Sequence, residues 1–79
     1  MSEINVSKVL DLKGLPCPMP VVKMSQEIGS VGIGEVIEVH TTDPGSLSDF
    51  PAWAQTTGNE VMETKQSDGM IQIFVKRLK

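Results

Sequence analysis

The chain has 79 residues and ten acidic against seven basic side chains, a formal net charge of −3 that argues against binding through a nucleic-acid backbone. One cysteine excludes an internal disulfide, and one cysteine with one histidine is too small a ligand set for a Cys/His metal site. No positively charged segment leads into an apolar run at the start, and no apolar run approaches the roughly 20 residues of a membrane span, so the expected location is the cytoplasm.

The length fits one domain, residues 1–79, and with one Trp, two Phe and no Tyr its core must be built from Val, Ile, Leu and Met. Residues 6–12 are rich in β-branched and aliphatic side chains and predict a first strand, closed by Gly14. Val21, Met24, Ser25 and Ile28 then fall on one helical face, with Lys23, Gln26 and Glu27 mostly on the other, and Gly29 and Gly32 end the helix. Residues 35–42 alternate, Ile37 and Val39 pointing one way and Glu38 and His40 the other, which predicts a second strand. Asp43-Pro44-Gly45 is a turn.

Leu47, Phe50 and Ala54 predict a second helix over about 48–57, with Ser46, Ser48 and Asp49 as candidate caps and Pro51 in its first turn; Gly58-Asn59 stops it. Val61, Met62 and Thr64 open a third strand, and Ile71, Ile73 and Val75 mark one face of a fourth, joined through Asp68-Gly69 as a tight hairpin. The crowded Lys76, Arg77 and Lys79 read as a solvated strand end that discourages edge pairing. The order β-α-β-α-β-β predicts an α/β two-layer sandwich: a four-stranded mixed sheet with both helices on one face. Glu38, His40, Gln72 and Lys76 leave the other face uncovered.

Three of the five prolines and the only cysteine lie in Gly14-Leu15-Pro16-Cys17-Pro18-Met19-Pro20, at the strand-to-helix junction. A residue before proline is pushed out of the helical region, which suits Cys17 to the capping position and Pro18 to the first helical one. Pro18 and Pro20 have no N–H, leaving the amides of Met19 and Val21 to face the sulfur. Cysteines at helix N-termini can have pKa values of about 3.5–7.5, against about 8.5 when free.

The residues alone support two readings, an activated thiolate or a small buried hydrophobe with prolines that merely start a helix. The strand-glycine-cysteine-helix order tilts toward function, because ligand sites in α/β folds gather at the carboxyl ends of strands. Cys-His acyl transfer would have to use His40, with no third orienting group in view. Thioredoxin-like chemistry lacks a resolving cysteine. Carriage of a sulfane sulfur as a persulfide needs only nucleophilicity, access and a docking surface. Trp53 beside Phe50 reads as a core or flank aromatic rather than a binding hot spot, Asp43 as a turn former and His40 as a solvated strand residue.

Leu10-Asp11-Leu12-Lys13-Gly14-Leu15-Pro16-Cys17-Pro18-Met19-Pro20-Val21-Val22-Lys23 resembles the opening of the TusA/SirA/YedF sulfur-carrier family, whose signature is Cys-Pro-x-Pro after an Asp-x-x-Gly-x-x lead-in. The resemblance continues through Gly34–Val39, Thr42–Gly45, Asp49–Ala54, Gly58–Val61 and Asp68-Gly69, covering residues 10 to 77. It implies the same β-α-β-α-β-β sandwich and a cytoplasmic carrier without cofactor, a monomer when free. Cys17 would take persulfide sulfur from a cysteine desulfurase or rhodanese-type donor and pass it to a DsrE-like or other acceptor protein. Gly14, Pro16, Pro18 and Pro20 would support the motif, and Met19, Lys23 and Asp43 would lie near the sulfur or the partner. Family end uses include tRNA 2-thiouridine synthesis, molybdenum-cofactor assembly and dissimilatory sulfur oxidation, and some relatives are linked to selenium metabolism or thiosulfate uptake. The chain departs from the tRNA-thiolation members in carrying Pro16 where they have a basic residue, and only Lys23 where they have arginines along the first helix. The rival from a different class is a non-catalytic regulatory or interaction module in which the Cys-Pro-x-Pro turn is structural.

Overall fold

The computed structural model describes residues 5–16 and 18–79. Its elements are β1 (Val6–Asp11), α1 (Met19–Glu27) running into a 3-10 turn at Ile28–Ser30, β2 (Val36–Thr41), α2 (Ser46–Thr57), β3 (Glu60–Ser67) and β4 (Met70–Lys76). The strands lie in the order β1-β2-β4-β3, with β1 and β2 parallel and β4 antiparallel to both of its neighbours. A helical crossover joins each pair of parallel strands, and the hairpin drops β4 into the gap between β2 and β3.

The alternation predicted for β2 sets the layers. Ile37 and Val39 meet Ile71, Ile73 and Val75 of β4 in one buried cluster with Met24 of α1 and Phe50 of α2, so both helices cover the same face. On the other face Glu38 contacts the His40 ring through Oε2 and accepts the Gln72 amide at 3.1 Å. That face is less polar than the sequence pattern implied: Phe74 and Val36 alternate onto it and are still buried, with the Lys65 ammonium 5.5 Å from the Phe74 ring centre.

The Asp-Gly hairpin is as predicted, with Asp68 at φ 51° and Gly69 at φ 78°, the double positive φ of a type I′ turn. Two helix starts differ from expectation. Pro18 occupies the capping position of α1 rather than its first residue, because its carbonyl accepts the Val22 amide (3.1 Å) while its own φ and ψ are non-helical; Pro20 is the residue inside the first turn. Helix α2 begins at Ser46, since the amides of Ser46, Leu47 and Ser48 bond back to the carbonyls of Asp43, Pro44 and Gly45. Pro51 therefore falls in the second turn, not the first, and the capping position is held by Gly45 rather than by Ser46, Ser48 or Asp49. Phe50 and Ala54, both buried, hold the segment helical despite the amide that Pro51 lacks. No helix among the described residues is long and apolar enough to cross a membrane.

Candidate functional site

The segment from β1 to α1 is anchored from below by apolar side chains. Leu12 is buried and Leu15 packs against the core, which commits the chain between them to a tight turn. The Leu15 amide donates to the Leu12 carbonyl at 3.3 Å, and Gly14 takes φ +84°. The Gly14 amide donates to Thr42 Oγ1 at 3.0 Å, and the Lys13 amide to Asp11 Oδ1 at 3.2 Å. Pro16 and Pro18 are exposed, while Pro20 is buried under the first turn of α1. Cys17 lies outside the described residues, so its expected placement at the helix mouth is not described either.

One expectation about that mouth changes. The Met19 amide does not point free toward a sulfur: it donates to the Pro16 carbonyl at 2.8 Å. Pro18 and Pro20 offer no amide, so three of the four backbone nitrogens from 18 to 21 have no free N–H for that role. The exchange is a local one, rigidity of the proline turn against donors at the helix end.

The prolines flanking Cys17 line different clefts. Pro16 shares one of about 320 Å³ with Gly14, Leu15, Thr42, Asp43 and Pro44. Pro18 shares another of about 400 Å³ with Val21, Asp49, Ala52, Trp53 and Thr56, in the seam between the two helices. The fold thus brings Gly14, Pro16 and Asp43 together. Met19 and Lys23 line neither cleft and sit exposed on α1.

Asp43 does form the predicted turn: its Oδ1 accepts the Gly45 amide at 3.1 Å. Its Oδ2 is buried with no hydrogen-bond partner among the described residues, a costly state for a carboxylate oxygen. Trp53 is half-buried, stacks edge-on against Phe50 (6.4 Å, 68°) and donates Nε1–H to Ser25 Oγ at 2.7 Å, so it clamps α2 to α1. His40, held by Glu38 on the face opposite the helices, is engaged elsewhere. Among the described residues no three His, Cys, Asp or Glu side chains converge as metal ligands would. The sequence offers Asp49 only as a candidate cap and gives Thr42 no role; Thr42 meets the loop across 28 positions, a contact no local pattern announces.

The family model for sulfurtransferase TusA matches residues 8–77. A putative sulfur carrier protein, YrkF of Bacillus subtilis, is 44% identical over 69 residues, which are 87% of this chain and 37% of that protein, so the chain spans little more than a third of that relative. The sulfur carrier protein TusA of Allochromatium vinosum is 41% identical over 68 residues, 86% of this chain and 90% of its own length. Among solved structures, a SirA-like protein from Desulfitobacterium hafniense superposes with a TM-score of 0.78 at 23% identity, covering 91% of this chain and 99% of that one, which supports the fold. With its order of elements and nearly its whole length matched, the chain belongs to the TusA family of sulfurtransferases.

Proposed function

We propose that Cys17 accepts a sulfane sulfur as a persulfide and passes it to a cysteine of a partner protein. The Cys17 thiolate attacks the outer sulfur of a donor persulfide, the donor's S–S bond breaks, and the donor leaves as a thiolate that takes up a proton. In the second step the acceptor's thiolate attacks the outer sulfur held on Cys17 and releases the Cys17 thiolate. The transferred sulfur keeps its oxidation state, so no external oxidant or reductant is needed.

The observation that carries this reading is that the chain's only thiol falls inside the matched span, between two prolines that open onto separate clefts. A cysteine desulfurase or a rhodanese-type protein would supply the sulfur, and a DsrE-like or similar protein would receive it, in the cytoplasm. Exposed Met19 and Lys23, with Asp43 in the Pro16 cleft, belong to the surface such proteins would meet. The test is incubation with desulfurase and cysteine, or with rhodanese and thiosulfate. Protein one sulfur atom heavier, with the adduct lost in Cys17→Ser, is expected; no adduct with either donor would leave the motif as a helix start only.

A further inference from the structure

The turn before Cys17 is tied to the sheet by a side chain from a different strand connection. Gly14 is the third residue of the Leu12–Leu15 turn, and its φ of +84° is what a type II turn requires there. In that geometry the amide of the third residue takes no part in the turn's own hydrogen bond. Gly14 gives it to Thr42 Oγ1 at 3.0 Å.

Thr42 is a fixed post. On one side of it Thr41, fully buried, accepts the Asp43 amide through Oγ1 at 3.1 Å and lies 3.2 Å from the buried Ser46 hydroxyl. On the other, the Asp43 carbonyl accepts the Ser46 amide at 3.0 Å. The backbone at 41–43 is therefore set by the start of α2, and the Thr42 side chain, itself exposed, carries that position across to the loop.

We propose that Thr42 is a positioning residue for the reaction of Cys17: its hydroxyl holds the Gly14 amide and so fixes the turn that leads into the cysteine. This rests on the carrier reading for its purpose, but not for its test. Thr42 acts through Gly14 and does not touch the transferred sulfur. Because the hydroxyl contributes nothing to the core, its loss should change the reactivity of the thiol and leave the fold.

The experiment compares the pH profile of Cys17 alkylation by iodoacetamide in the wild type, Thr42→Val and Thr42→Ser, each well below its melting temperature. Val keeps the shape and loses the acceptor; Ser keeps the acceptor. The Thr42→Val profile is expected to be displaced from that of the wild type, in midpoint or in rate, by up to about fivefold, the ceiling that one net hydrogen bond sets, with Ser restoring the wild-type profile. A Thr42→Val profile that superimposes on the wild type, or a Ser variant that behaves as Val does, overturns the proposal. Loading of the wild type by glutathione persulfide is measured alongside. A wild type that takes no sulfur while the alkylation profile still depends on Thr42 would sink the carrier reading and uphold the positioning role.

Discussion

Glu27 accepts the Lys8 ammonium at 2.5 Å, joining the first strand to the end of the first helix, and Lys8 also reaches Ser30 Oγ at 3.0 Å. The hydrogen bond from Lys8, and then its charge, hold the Glu27 carboxyl below its usual value. A carboxyl whose pKa is lower folded than unfolded stabilises the fold above its unfolded value and loses that contribution as pH falls through the folded one. The melting-temperature gap between the wild type and Glu27→Gln should therefore be full at neutral pH and close in acid; a gap that does not narrow there would contradict the pairing. Asp43 poses a different residue-scale question, because Oδ1 does the turn's work while Oδ2 is buried with no partner among the described residues. Asp43→Asn keeps an oxygen for the Gly45 amide and removes the buried charge, so denaturant unfolding should place it within about 1 kcal/mol of the wild type, with Asp43→Ala lower by about 1 kcal/mol more.

At the scale of elements, the two helices are joined by the Trp53–Ser25 hydrogen bond as well as by packing. Trp53→Phe and Ser25→Ala each remove the same bond, so each should cost about 1 kcal/mol and the double variant much less than the sum; additive losses would show that the bond carries nothing. The end of α2 is set by Gly58 at φ 79°, where an added Cβ would lie 2.6 Å from the Lys79 side chain. Most of this architecture was legible in the chain. The alternation of Ile37 and Val39 against Glu38 and His40, the Asp68-Gly69 pair and the Gly58 stop each has a local cause that survives in the fold. What was illegible depended on contacts the sequence does not announce. The first residues of both helices were displaced because backbone carbonyls at Pro18 and Gly45, not side chains, begin their hydrogen bonding. Phe74 was hard to place because Ile73, Phe74 and Val75 run apolar across both faces of β4. The motif was visible as residues, whereas the return of the Met19 amide to Pro16 and the reach of Thr42 to Gly14 appear only once the chain is folded.

For the whole molecule, one cluster buried between a single sheet and two helices is the source of cohesion, and Phe50 is its largest fully buried side chain. Phe50→Ala should cost about 3–5 kcal/mol, much of the total stability expected of so small a domain, and would show as a transition at markedly lower denaturant. On that rigid body Pro16 lines one cleft, with the turn after β2, and Pro18 lines another, between the two helices, which gives the proposed carrier two surfaces for meeting one protein and then another. The most direct test is intact-mass analysis after exposure to a desulfurase with cysteine. The account predicts a species heavier by one sulfur atom that reductant removes and that Cys17→Ser cannot form. An unchanged mass in the wild type, or an adduct that persists in Cys17→Ser, would contradict it.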